Sequence, residues 1–411
     1  MTRTAVDRRP LLIPEFRRLW TASLVTAIGG SFAVIAVPAQ LFELTGTSAA
    51  VGISAAVSFG ALLISSLWSG VLADTMDRRQ LLLAAHITLA VTYVLFFLQS
   101  ALGSVPLILL LVVAQSLSFG AIMTTMGAAV PRVVPPDLLI AASSLGSLVR
   151  YLGSILGPLL AGVLIPVLGL GPLYLLDSAA LLAVIWAVFR LPAIPPAASA
   201  NPADSVLHHL LEGFRYLAAQ PVLVAVLGVD LASMLFGMPY SLFPEMAVRA
   251  FSAPEDGGST LGLLYAAYPV GVFAVGLASG IFTRARRPGV WLVGASVSWG
   301  ASVMIFGLAQ PLWLALAALV LGGAVNFVLS TFRNSITQAR TDDALRGRIQ
   351  GSLTVVLFGG PQMAGVLHGL ISPLIGPRTT IFAGGALTIG AALGIALAVP
   401  ELTDSRPRPA D

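Results

Sequence analysis

The chain has no cysteine and, among its 22 basic residues, no lysine, and only 10% of its 411 residues carry a formal charge. Without cysteine there are no disulfides, no thiolate metal sites and no cysteine nucleophile. The scarcity of charge excludes more. A soluble globular protein carries about 25% charged residues, so this chain cannot build an ordinary water-facing surface. Enzyme signatures are missing too. There is no G-x-x-x-x-G-K phosphate loop, which also argues against a built-in ATP motor, no His and acid cluster with metal spacing, and no G-x-S-x-G elbow at a loop. No cofactor is expected. The balance of 22 basic to 18 acidic residues would suggest nucleic acid only if the arginines gathered on one solvated face. They sit in short connections between apolar runs, so no nucleic-acid partner is expected.

What is abundant is apolar. Hydrophobic residues make up 57% of the chain, close to what twelve membrane helices of roughly 20 residues each require. Spans are predicted at 19–41, 48–73, 80–101, 105–130, 139–165 and 172–190, then at 221–246, 259–283, 289–308, 311–332, 347–375 and 378–399. Helices satisfy their own backbone groups in hydrocarbon, and the 41 glycines let such helices pack closely. The expected fold is an all-α membrane protein, and the lipid bilayer is its first partner.

Arginine placement sets the expected orientation. With the N-terminus inside, eighteen arginines fall in cytoplasmic segments, and only Arg249 and Arg378 fall on the other side. Arg150 and Arg333 lie at membrane depth or near its edge. That asymmetry predicts an even number of spans with both termini cytoplasmic. Arg3, Arg8, Arg9, Arg17 and Arg18 precede the first span without a small-residue cleavage site, which reads as a cytoplasmic lead-in.

The longest polar interval, 191–220, opens with LPAIPPAASANPADS, a proline-rich linker. VLHHLLEGFRYLAAQ follows, with Leu207, Leu210, Leu211, Phe214 and Leu217 at helical spacing, the pattern of an amphipathic helix on a membrane surface. His208 and His209 are expected on its solvated face. The halves on either side repeat. GPLLAG at 157–162 returns as GPQMAG at 360–365, Gly171-Pro172 returns as Gly376-Pro377, and EFRRL at 15–19 is echoed by GFRYL at 213–217. Gly70 of GVLADTMDRR matches Gly280 of GIFTRARR. Six helices duplicated in parallel are a recurrent plan among secondary transporters. The organisation predicted is an N-terminal six-helix bundle (1–190), a cytoplasmic linker with its amphipathic helix (191–220), a C-terminal six-helix bundle (221–400) and a cytoplasmic tail (401–411).

Two motifs and three lone residues are candidates for function. GVLADTMDRR joins the second and third spans, with Gly70 for close helix approach, Asp74 as a fixed negative charge, and Arg78 and Arg79 opening the next span. A carboxylate there can meet the positive N-terminal end of a neighbouring helix and part from it again, as a gate must. LGSILGPLLAG supplies Gly153, Gly157, Pro158 and Gly162, a small-residue face with a loosened ladder. Asp230, about nine residues into its span, is a carboxylate that can bind and release a proton or cation. Arg150 can attract an anion or serve as a fixed partner for Asp177 or Asp230. Gln40 is placed on the outer part of a solute path. Asp177, His86 and His368 are expected to pack by hydrogen bonds, and Glu43 and Glu245 to sit on a wetted outer rim.

The spacing of GVLADTMDRR resembles the signature loop of the major facilitator superfamily, with Thr75 where an arginine is common and Asp77 where a glycine is common. LGSILGPLLAG resembles the fifth-helix motif of that superfamily's drug–proton antiporters, and an arginine usual in the fourth helix is absent from LVVAQSLSFGA (111–121). IAVPAQ (35–40), VGIS (51–54), SGVLAD (69–74), GFRYLAAQP (213–221), GLLYAAYPVG (262–271), ARRPG (285–289) and LRGRIQG (345–351) are similar to bacterial siderophore exporters of the enterobactin-exporter type. Asp230 and Leu242-Phe243-Pro244 are shared with actinobacterial multidrug efflux pumps. The resemblance implies the major facilitator fold, two pseudo-symmetric bundles of twelve transmembrane helices working by alternating access around a central cavity. It implies a secondary active exporter of a small molecule, a catecholate-type siderophore or a broad range of drugs, driven by a proton or other ion gradient. The chain is expected to be a monomer and not an enzyme.

Overall fold

A computed structural model describes residues 7–29, 31–195, 206–254, 257–278, 287–341 and 346–404. Inside some helices individual side chains, including those at 70, 74, 132, 208 and 209, lie outside the described residues. The described residues are helical, with no strand among them. A 3₁₀ turn at Arg9–Leu12 leads into α1 (Pro14–Gly29), α2 (Ala33–Thr45), α3 (Ser48–Thr75), α4 (Arg78–Ser100), α5 (Val105–Val133), α6 (Leu139–Leu168) and α7 (Leu170–Phe189). Then come α8 (Val206–Ala218), α9 (Pro221–Gly237), the single turn α10 (Phe243–Glu245), α11 (Gly258–Leu277), α12 (Pro288–Leu308), α13 (Leu312–Ala339), α14 (Arg346–Ile375), α15 (Pro377–Ala398) and α16 (Glu401–Asp404). Twelve stretches, from Pro14–Thr45 to Pro377–Ala398, are long and apolar enough to cross a membrane. The protein is an all-α, twelve-span membrane protein.

Prolines and glycines punctuate the helices. Proline occupies the first turn of α5, α9, α12 and α15, where its missing N–H would have found no partner anyway. The 30-residue helices α6 and α14 each carry two internal prolines, Pro158 and Pro166 in one, Pro361 and Pro373 in the other. Each then turns directly into the next helix through a glycine at positive φ, Gly169 at 75° and Gly376 at 84°. In backbone role Gly376 therefore corresponds to Gly169, so the match of Gly171 with Gly376 read from the sequence is two residues out of phase.

Two expected spans are divided. The first is two helices, with α2 starting afresh at Ala33. The seventh leaves α-geometry after Gly237, passes a 3₁₀ turn at Tyr240–Leu242 and α10, and ends in a π-helical turn at Met246–Ala250. The predicted loop at 70–79 is mostly helix, because α3 continues to Thr75.

The chain divides into two compact units that do not follow one cut in the sequence. The first comprises Met1–Leu44, Val57–Val206 and Glu255–Gly262, the second Thr45–Ala56, Leu207–Pro254 and Leu263–Asp411. In the first, α4 packs against α5 and α7, and α1 against α6 and α7. Leu19, Leu82, Ala129, Val184 and Val188 belong to one of its buried clusters. In the second, α12 packs against α13 and α15, and α9 against α14 and α15, around Val226, Val229, Leu292, Leu329, Phe332 and Ile336. The α4–α5–α7 and α12–α13–α15 groupings are the same arrangement in two copies. Leu217 of α8 is buried with Leu223, Ile349 and Leu353, and Tyr216 donates from its hydroxyl to the Arg340 carbonyl, which anchors the C-terminal end of α8 in the second unit.

Candidate functional site

Asp230 is the tenth residue of α9, about 14 Å along the helix from Pro221 at 1.5 Å per residue. Its carboxylate is not alone. Arg333 of α13 donates from Nη1 to Asp230 Oδ2 at 2.8 Å, and both side chains are almost fully buried. The other edge of the guanidinium, Nε and Nη2, donates to Asn334 Oδ1 at 3.2 Å each. One turn from Asp230, Ser233 shares a hydrogen bond with Ser296 and accepts on its carbonyl from Trp299 Nε1. Two opposite charges buried among membrane-spanning helices are tolerable only as a pair, since an isolated buried charge is expensive. The pair can take one proton on the carboxylate and leave the cation held by Asn334. The signal for Arg333 was an arginine at the edge of an apolar run; that it belongs to Asp230 is not legible from spacing.

The other intramembrane aspartate has a different environment. Asp177 of α7 accepts from the backbone N–H of Phe32 at 3.0 Å and of Ala33 at 2.6 Å. These are orphan donors at the start of α2, where the helix dipole favours negative charge. Asp177 is the cap that allows the first span to break. Beside it, Tyr174 stacks on Phe96 and donates its hydroxyl to Gln40 Oε1 at 2.9 Å. Gln40 is buried and engaged in this bond. Arg150 is paired with neither aspartate; it lies exposed on α6 and donates from Nη2 to Ser147 Oγ. His86 and His368 bond backbone carbonyls, Leu82 for the first, Ala364 and Phe236 for the second.

Of the gate motif, the surroundings of Gly70 and the side chain of Asp74 lie outside what is described, as do residues 279–286 with the C-half copy. The rest is visible. Asp77 caps α4, accepting on Oδ1 from Arg79 N at 2.9 Å and from Ile194 N at 3.0 Å. Arg78 N donates to the Ile194 carbonyl, and Arg79 donates to the Phe189 carbonyl while lying over the Phe189 ring. The loop is stitched to the end of α7.

The fifth-helix motif is a close-approach surface. A Cβ on Gly153 would stand 2.5 Å from the Ala27 carbonyl oxygen, and one on Gly157 would stand 2.7 Å from Ser31 Cβ, so both glycines admit the end of the first helix and the turn after it. Farther along α6, the Pro158 carbonyl and Gly162 lie against Gly262 of α11, backbone to backbone. Both contacts are inside the first unit.

Glu245 departs from expectation. The sequence puts it on a wetted rim, but the structure buries it with both oxygens bonded, to Ser48, Ser372 and Arg249.

The chain as a whole belongs to a known family: residues 7–410 match the family of transmembrane secretion effectors, a branch of the major facilitator superfamily. It is therefore a multi-pass membrane transporter. It is 30% identical over 392 residues to the enterobactin exporter EntS of Shigella boydii serotype 18, covering 93% of this chain and 92% of that one. It is 29% identical over 391 residues to the enterobactin exporter EntS of Escherichia coli O1:K1 / APEC, with the same coverage. In fold it is similar to a bacterial homolog of the human lysosomal transporter Spinster, with a TM-score of 0.75 at 16% identity over 98% of this chain and all of that one.

Proposed function

We propose that this transporter exports a catecholate-type siderophore from the cytoplasm across a bacterial inner membrane, by alternating access and in exchange for protons. The likeness to enterobactin exporters along 93% of the chain supports the solute class. The observation that carries the coupling is the buried Asp230–Arg333 pair. When Asp230 takes a proton, Arg333 keeps its charge but loses its counter-ion, and the site favours a different arrangement of α9 and α13 until the proton leaves. Asn334 holds the guanidinium meanwhile. Asp74, with Arg78 and Arg79, acts as a cytoplasmic gate, and the glycine face of α6 lets helices part and close again. The arginine-rich connections support a cytoplasmic position for both termini, and one chain suffices.

The experiment is siderophore secretion by a strain lacking this gene, starved of iron, beside a panel of dyes. A catecholate siderophore should accumulate inside the cells and return to the medium on complementation. Unchanged secretion together with dye retention would instead make the protein a broad-specificity multidrug efflux pump, the reading that its shared Asp230 and Leu242-Phe243-Pro244 support. For the gate, Asp74→Ala should slow turnover more than it weakens substrate binding; the reverse pattern removes Asp74 from the gate.

A further inference from the structure

The second unit contains a segment from early in the chain, Thr45–Ala56, and the structure shows what holds it there. Gly46, at φ 65°, makes the turn between α2 and α3. Its carbonyl accepts from Arg249 Nη2 at 2.7 Å. Arg249 Nη1 donates to Glu245 Oε1 at 2.7 Å. The other carboxylate oxygen, Oε2, accepts from Ser48 Oγ at 2.6 Å and from Ser372 Oγ at 3.0 Å. Ser48 begins α3, Ser372 lies in the last turn of α14, and Arg249 sits in the π-helical turn Met246–Ala250. One buried carboxylate thus ties together three elements.

Beneath this hub the contact has almost no side chains. A Cβ on Gly52 would stand 3.0 Å from the Gly365 carbonyl oxygen and 3.0 Å from Gly369 Cα, and one on Gly369 would stand 2.7 Å from the Ser48 carbonyl oxygen. Backbone-to-backbone seams of this kind part and close without disengaging interlocked side chains. What gives the seam two definite states is the polar hub, because a buried carboxylate is stable only with all its donors in place and costly once any is withdrawn.

We propose that Glu245 is a positioning residue of the transport cycle: it straps Thr45–Ala56 to α14 in one state, and the cycle releases and remakes that strap. The proposal rests on the chain being a transporter, not on which solute it moves or what drives it.

The absence of cysteine makes the test direct. Val51, buried in the strapped segment, becomes a reporter as Val51→Cys, labelled by a maleimide in open membrane sheets. The single variant should react slowly. Adding Glu245→Ala should speed labelling by at least about tenfold, the order expected when charged hydrogen bonds are lost, and Glu245→Gln, which keeps the shape, by less. Equal rates in all three proteins, each monodisperse in detergent, would overturn the proposal; if Glu245→Ala does not fold, the Gln variant decides alone. The second arm separates a cycling strap from a fixed one. Ser48→Cys with Ser372→Cys places two thiols where both hydroxyls now bond the same oxygen. Oxidation should stop efflux of enterobactin or ethidium, and reduction should restore it. A crosslinked protein exporting at the reduced protein's rate overturns the proposal. If the reduced protein moves neither solute, the reading of its cargo fails and the labelling arm still judges the strap.

Discussion

Asp177 and Asp230 are both aspartates buried within apolar helices, one in each unit, and their partners differ in kind. Asp177 is answered by two backbone N–H groups. Its donors are part of a helix terminus and have nowhere else to go. Asp230 is answered by a side chain with a charge of its own, on another helix, which has a second partner in Asn334. A cap fixes geometry; a pair can exchange its counter-ion for a proton. An acidic residue inside a membrane is by default a functional candidate, but which kind it is depends on whether the partner can be left behind.

The sharpest way to break this contrast is to neutralise each carboxylate. Asp230→Asn leaves Arg333 buried and unpaired, which should cost about 3–5 kcal/mol, the largest effect expected of any single change here, and should abolish gradient-driven export. The double variant Asp230→Asn with Arg333→Gln removes both charges and should recover most of the folded protein, read as monodisperse yield and thermal midpoint, without recovering coupling. Gradient-driven export by that double variant would make the pair structural, no different in kind from Asp177.

Asp177→Asn should do less and differently. The amide keeps one acceptor but turns an N–H₂ toward a backbone N–H, leaving one donor of α2 unsatisfied at about 1–3 kcal/mol. The thermal midpoint should fall, while export per folded molecule stays near the parent's. Loss of export with no loss of stability would move Asp177 from cap to transport.

Much of this was legible in the sequence. Twelve apolar runs, the duplicated GPLLAG and GPQMAG, and the arginine-rich loops follow from one-dimensional patterns that hydrocarbon imposes directly. Asp230 stood out as a carboxylate in an apolar run. Its partner did not, because Arg333 lies 103 residues away and periodicity says which face a residue takes, not which helix meets it. Glu245 was misplaced for the same reason: depth along its own helix put it near a rim, while its donors come from residues 48 and 372. The partner of Gln40 was hidden likewise, since Tyr174 is invisible from IAVPAQ. The break before α2 is marked only by Gly29, a glycine at position 30 and Ser31, a pattern equally at home inside a small-residue packing face.

Asp77 extends the comparison to a third aspartate, at a membrane edge and only partly buried. It stands where related transporters commonly have glycine, inside a motif read as a gate, yet its bonds are those of a cap: Arg79 N at the start of α4 and Ile194 N beyond α7. If capping is its whole contribution, Asp77→Ala should cost about 1 kcal/mol of stability. Asp77→Ser, which supplies another acceptor suited to an N-cap, should recover much of that loss, with turnover near the parent's in both. The measurement is a thermal midpoint beside an efflux rate normalised to folded protein. A serine variant that is stable but slow would show that the charge, and not the cap, is what this position supplies, and would give Asp77 a role of the kind proposed for Asp230.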